Sequence, residues 1–217
     1  AEEMSEAKET GAPVIVSLYG FSSEEFVDVA RVAVETGADA LELNVSCPHV
    51  EKTGAEIGQN PELVTKVVES VKNNVDKPVF VKLTPNITSI AEVAKAAAEA
   101  GAEAITAINT VRAMAINVET CRPILSNKIG GLSGPAIRPI AVRCVYEIYR
   151  EVKVPIIGCG GIATWRDAVE FMLAGASAVQ IGTAVAFQGL GVFRSITRGI
   201  DAYLKENGFR SVKETVS

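Results

Sequence analysis

Two kinds of strand entry alternate along this chain, three times each, and that repeat leaves few folds open. In the first kind a proline precedes a β-branched or aromatic run: Pro13 before Val14-Ile15-Val16, Pro78 before Val79-Phe80-Val81, and Pro155 before Ile156-Ile157. In the second kind a glycine closes a helical stretch and a small-residue strand follows. It occurs as Gly37-Ala38-Asp39-Ala40-Leu41, Gly101-Ala102-Glu103-Ala104-Ile105 and Gly175-Ala176-Ser177-Ala178-Val179. Glycine suits the residue just past a helix because it takes positive φ without a Cβ penalty. The prolines recur after 65 and 77 residues and the glycines after 64 and 74. Each period therefore holds two βα units.

Six βα units in strict alternation specify a parallel sheet. Amphipathic stretches fill the gaps at roughly 23–36, 61–73, 89–100, 135–150 and 164–174. Ser22 with Glu25, and Ser89 with Glu92, have capping-box spacing. A doubly wound sheet is one solution. A (β/α)8 TIM barrel fits the paired periodicity better, and its closure needs eight strands. A fourth pair would take about 60–80 further residues on this period. The expectation is a single domain over 1–217, strands 3 to 8 of an α/β barrel whose first two strands are missing N-terminally. A six-stranded variant is the alternative. Between Asn109 and Pro135 no helical pattern is visible, but Gly130, Gly131 and Gly134 are. Loops of that length are usually functional, and this one reads as an excursion over the barrel mouth.

Composition narrows the function classes. The net charge is -5, against the basic footprint of a general nucleic-acid binder. No apolar run approaches the roughly 20 residues that span a bilayer, and the charged, helix-like stretch Ala1 to Thr10 is not expected to act as a signal peptide. The four cysteines, Cys47, Cys121, Cys144 and Cys159, make no metal-ligand spacing, and His49 is the single histidine. No protein-ligated metal is expected, and free thiols point to a cytoplasmic setting.

Ligand chemistry in a barrel gathers at the C-terminal ends of the strands. Read in order, those ends carry Ser17 and Tyr19; Asn44, Ser46 and Cys47; Lys82 and Thr84; Asn109 and Thr110; Gly158, Gly160 and Gly161; Gly182 and Thr183. A lysine within a buried strand needs an anion or an electron-rich ligand, unless Lys82 merely snorkels. Asn44 and Asn109 end equivalent strands, and an amide offers both donor and acceptor to a planar heterocycle; each could also only cap its turn. Gly160-Gly161 and Gly182-Thr183 follow the last two strands, where backbone N–H groups commonly take phosphate. Tight-turn geometry alone is the plainer account. Cys47 sits at a strand end beside Asn44 and Ser46, whereas Cys159 reads as a structural thiol. His49 either touches substrate or is solvated.

Taken together, Asn44-Val45-Ser46-Cys47-Pro48, Val81-Lys82-Leu83-Thr84-Pro85, Ile108-Asn109-Thr110, Gly130-Gly131-Leu132-Ser133-Gly134, Gly160-Gly161-Ile162 and Gly182-Thr183 resemble the FMN-dependent dihydroorotate dehydrogenases over nearly the whole chain. Cysteine at position 47 is similar to class 1, and the stretch from Gly130 to Tyr146 is similar to the NAD-linked class 1B catalytic subunit. The resemblance implies oxidation of dihydroorotate to orotate in pyrimidine biosynthesis. It implies that Cys47 removes the C5 proton as general base while a hydride leaves C6 for FMN. Asn44, Asn109 and Thr110 would bind the pyrimidine. Lys82, Gly134, Gly160, Gly161, Gly182 and Thr183 would bind FMN. It also implies a homo-oligomer and an electron-transfer partner subunit carrying FAD and a [2Fe-2S] cluster. His49 stands where that family usually has Asn, and Ser-Cys-Pro-His also resembles the FMN domain of dihydropyrimidine dehydrogenase, the alternative reading. A non-catalytic phosphate-ligand-binding barrel fragment is a further one.

Overall fold

The computed structural model describes residues 2–46 and 57–216. In chain order the elements are α1 (Glu2–Glu9), β1 (Ile15–Leu18), α2 (Ser23–Glu35), β2 (Ala40–Asn44), α3 (Pro61–Lys72), β3 (Val79–Leu83), α4 (Ile90–Glu99) and β4 (Ala104–Ala107). Four short strands follow, β5 (Val111–Ala113), β6 (Ile116–Asn117), β7 (Arg122–Pro123) and β8 (Gly130–Leu132). The chain then continues through α5 (Arg138–Glu151), β9 (Ile156–Cys159), α6 (Trp165–Leu173), β10 (Ala178–Gln180), α7 (Ala184–Gln188) and α8 (Gly191–Glu206).

The main sheet has six strands, all parallel, in the order β1-β2-β3-β4-β9-β10. That order never reverses, and a doubly wound sheet must reverse at its switch point. The helices follow the same sequence, α2 packing on α3, α3 on α4, α4 on α5, α5 on α6 and α6 on α8. The result is an arc of parallel sheet with helices outside it, an α/β architecture consistent with part of a TIM barrel. Strand alternation sorts the side chains. Leu41 and Leu43, Val79, Val81 and Leu83, and Ile105 and Ala107 are fully buried in one continuous core with α3, α4 and α5. Their neighbours Glu42, Lys82 and Thr106 turn to the concave face, where they meet one another.

The repeat seen in the sequence is realised as three copies of one local structure. Gly37, Gly101 and Gly175 have φ of 101°, 102° and 113°. After each, the next N–H reaches back into the helix, Ala38 to the Ala33 carbonyl, Ala102 to Ala97 and Ala176 to Phe171. The N–H of the following residue then docks on the preceding strand: Asp39 on Val14, Glu103 on Val79, Ser177 on Ile156. In the first two copies the acid also accepts the strand's N–H through its carboxylate, Asp39 from Val14 and Glu103 from Val79, each at 2.7 Å. The prolines lack an N–H but still accept, Pro78 from Leu41 and Pro155 from Ile105.

Two local expectations need revision. Ser89 makes no side-chain cap, although Ser22 does. The backbone explains it: Ser22 has ψ of 166° and Ser89 has ψ of 97°. Near that second value the longer Asn60, at ψ 114°, still reaches the N–H groups of Glu62 and Leu63, while a serine falls short. The excursion after Asn109 is not plain loop. Its ends zip together as β5 against β8, and β6 pairs with β7 further out. Strands of two or three residues are too short to show an alternation. No helix among the described residues is long and apolar enough to cross a membrane.

Candidate active site

The C-terminal ends of the strands open on a cavity of about 360 Å³, within the size range of small-molecule sites. Lys82, Asn109, Thr110, Gly134, Gly160, Gly161, Gly182 and Thr183 all line it. Asn44 joins them through Asn109, whose Nδ2 donates to the Asn44 Oδ1 at 3.0 Å and also to the Ser46 hydroxyl. Ser46 donates in turn to the Asn44 Oδ1. The Thr110 N–H donates to the Asn109 Oδ1 at 2.7 Å. Two amides from strands 65 residues apart are thus fixed against each other before any ligand arrives. Cys47 and His49 lie outside the described residues. Cys47 follows Ser46 directly in the sequence.

Three turns also meet on this cavity. Gly160 and Gly161 have φ of 129° and 79°, and Gly134 has φ of 84°. A Cβ on Gly161 would lie 2.7 Å from the Gly134 carbonyl oxygen. A Cβ on Gly134 would lie 3.5 Å from the Thr183 methyl, and the Thr183 hydroxyl donates to Ser133 at 2.9 Å. Among the described residues Gly160 and Gly161 make no hydrogen bond, so their N–H groups remain available. Around Gly182 a Cβ would meet nothing within 4 Å. The turns therefore bound open space that backbone N–H groups can serve, which is what an anion needs.

Asp167 shapes the Gly160 turn. Its Oδ2 accepts the N–H groups of Ala163 and Thr164, completing a capping box with Thr164 at the start of α6. Its Oδ1 pairs with Arg138. The spacing of Thr164 and Asp167 is a local signal that a reading of the sequence could have used. On the excursion, Asn86 accepts the Arg112 N–H and donates to the Thr110 carbonyl, tying β5 to the end of β3. Gly131 is obligatory there, because a Cβ would collide with the Thr110 side chain.

On the concave floor lies a group that no sequence argument picked out. Glu42 is 2% exposed. Its Oε2 accepts from Thr106 at 2.8 Å and from Gln180 at 2.6 Å; its Oε1 accepts from Ser17 at 3.2 Å and faces the Lys82 ammonium at 3.6 Å. Gln180 closes the ring by accepting from Lys82 at 3.0 Å. A buried carboxylate is tolerated when its lone pairs are met in this way.

The remaining thiols are differently placed. Cys144 is fully buried, and burial pushes its thiol from the usual 9.0 to about 11. Cys159 lines the cavity, and burial pushes its thiol up as well. Cys121 is exposed on the excursion. Since only the thiolate reacts, ionisation alone should slow Cys144 by about a hundredfold against an ordinary thiol at pH 8. Brief alkylation of the folded protein with iodoacetamide, mapped by mass, should therefore mark Cys121 and spare Cys144. Equal labelling of the two would contradict this packing.

With this geometry in view, the comparisons with known proteins are informative. The sequence pattern of the family described as dihydroorotate dehydrogenase matches residues 1–204. A dihydroorotate dehydrogenase B (NAD(+)) catalytic subunit of Pyrococcus abyssi is 57% identical over 204 residues, which cover 94% of this chain and 68% of the relative. The subunit of the same name from Thermococcus kodakarensis is 55% identical over 214 residues, covering 99% and 70%. The one from Methanothermobacter thermautotrophicus is 54% identical over 206 residues, covering 94% and 68%.

Proposed function

The chain belongs to the dihydroorotate dehydrogenase family, and we propose that it oxidises dihydroorotate to orotate in pyrimidine biosynthesis, using FMN held in the cavity and Cys47 as the general base. The observation that carries this reading is the convergence of two amides, one lysine and three glycine turns on a single cavity at the strand ends. The residues fit the flavin. Gly160 and Gly161 have left-handed backbones and free N–H groups, Gly182 borders open space, and Lys82 supplies a positive charge on the wall of the same cavity.

In this reading the N–H groups of Gly160, Gly161, Gly182 and Thr183, with Gly134 allowing close approach, hold the FMN phosphate. Lys82, on the cavity wall, would supply an ammonium able to stabilise negative charge on a bound flavin. When bound, FMN supplies the two-electron acceptor that side chains lack. The chain supplies the proton chemistry. Cys47 as thiolate takes the proton from C5 of the substrate, while Asn44, Asn109 and Thr110 hold the ring. The mutual hydrogen bonds of the two asparagines keep that binding edge ordered.

The six strands are strands 3 to 8 of an eight-stranded barrel, and residues 1–217 form one domain of it. The relatives are named as NAD(+)-linked catalytic subunits. In our reading the chain works in the cytoplasm as a homo-oligomer, with a second subunit that carries FAD and a [2Fe-2S] cluster. The test is anaerobic addition of dihydroorotate to the full-length protein. Loss of the visible flavin absorbance is expected, and NAD should be reduced only when the partner subunit is present. A protein bleached by dihydrouracil but not by dihydroorotate would overturn the substrate assignment, and efficient NAD reduction by the chain alone would overturn the partner.

A further inference from the structure

Glu42 gathers five of the six strands around one carboxylate: it stands on β2 itself and contacts Ser17 from β1, Lys82 from β3, Thr106 from β4 and Gln180 from β10. Three hydrogen bonds and the facing ammonium occupy the carboxylate, which makes it a structural acceptor and not a substrate contact. Nor is it a base in waiting, because it is 2% exposed and is not among the residues that line the cavity, whereas Lys82 and Gln180 are. The carboxylate acts on the ligand only through what it holds.

What it holds is Lys82. The ammonium is fixed by two contacts, 3.0 Å to the Gln180 Oε1 and 3.6 Å to the Glu42 Oε1. The amide of Gln180 is itself oriented, since its Nε2 donates to Glu42 at 2.6 Å and leaves its Oε1 facing the lysine. Lys82 keeps about a fifth of its side-chain surface open, on the cavity wall. The cavity therefore meets a positive charge with a negative one directly behind it. We infer that Glu42 and Gln180 are positioning residues that set both the place and the effective charge of the Lys82 ammonium, and through it the balance between oxidised and reduced flavin.

This inference rests on the FMN reading above. Reduction adds negative charge to the flavin, and an unmasked ammonium favours the reduced form. Glu42 partly cancels that charge, and Gln180 holds the ammonium off the carboxylate and toward the cavity. The two residues thus act in opposite directions, which a merely structural role would not produce.

The experiment compares the affinities of full-length protein for reduced and oxidised FMN, with dye-equilibrated midpoint potentials as the second readout. Glu42→Gln keeps the side-chain shape and removes the charge. It should shift the ratio of affinities about tenfold toward reduced FMN, since an opposite charge within roughly 4–6 Å is worth that much or more. For a two-electron couple that is about 30 mV in the positive direction. Gln180→Leu should shift the ratio toward oxidised FMN, because Lys82 then collapses onto Glu42. Thr106→Val, which removes one neutral donor to the same carboxylate, should stay within about twofold of the wild type on the scale of a single neutral hydrogen bond. Both Glu42→Gln and Gln180→Leu keeping the wild-type ratio, or moving it in the same direction, would overturn the inference alone. A wild type that takes up no FMN would overturn the cofactor reading and this inference with it. If Glu42→Gln does not fold, the sign of the Gln180→Leu shift decides.

Discussion

Replacing Cys47 with Ala is expected to slow flavin reduction by dihydroorotate at least 10²-fold in the FMN-loaded, full-length protein, the range that a positioned general base contributes. Orotate binding should be kept, because the ring is proposed to be held by Asn44, Asn109 and Thr110, which are tied to one another among the described residues. The Asn109 amide takes its place from Asn44 and Ser46. Stopped-flow reduction and orotate titration separate the two quantities. The pH dependence gives a second check. A thiol ionises near 8.5 when unperturbed, so the wild-type rate should rise with alkaline pH and the variant should lose that rise. Wild-type reduction rates in Cys47→Ala would remove the residue from the mechanism. Cys159 makes a poor substitute in that event, because burial holds its thiol in the neutral form.

Gly161→Ala is expected to weaken FMN binding by about 10²-fold, equal to losing one or two hydrogen bonds to a charged phosphate at about 1.5–3 kcal/mol each. The added Cβ would lie 2.7 Å from the Gly134 carbonyl oxygen and 2.9 Å from the Arg138 nitrogen. Both are backbone atoms, so the turn must move rather than a side chain. The residue also sits at φ 79°, which costs an alanine about 1–2 kcal/mol in any surroundings. Gly208→Ala separates strain from site. Gly208 has φ 74°, nothing within 4 Å of its Cβ position, and lies just past α8 away from the cavity. The two variants should lose similar conformational stability from the backbone, with Gly161→Ala losing more through its clash, but only Gly161→Ala should lose FMN affinity. Equal FMN affinity in both, measured by titration of flavin fluorescence, would refute the proposed phosphate turn.

What could be read from the sequence was local or repeated. Gly37, Gly101 and Gly175 each end a helix at positive φ, a demand met by one residue type at one position, so the letters carried the geometry. Pro13, Pro78 and Pro155 marked strand starts for the same kind of reason. The amphipathic stretches became α2 to α6 within a few residues of their expected ends. α8 was passed over, although Val192 and Ile196 bury one of its faces at helical spacing. The strand-end rule then placed Asn44, Lys82, Asn109, Gly160, Gly161, Gly182 and Thr183 in one neighbourhood without knowledge of any contact.

Contacts between distant strands were another matter, and there only the tertiary structure decided. In the sequence Glu42 is one polar letter between Leu41 and Leu43, and Gln180 ends the last strand of the sheet, 138 residues later. Nothing in either neighbourhood says that the two will share a hydrogen bond, or that Ser17, Lys82 and Thr106 will arrive from three more strands to satisfy the same carboxylate. Whether a charge can stay buried depends on the donors around it, and curvature of the sheet brings those donors together. The strand order runs one way without reversal, so successive strands add to the same arc. The βα pattern specified parallel strands and the residues at their ends. The curving of the six-stranded sheet brought one lysine, one carboxylate and one amide together on its concave face.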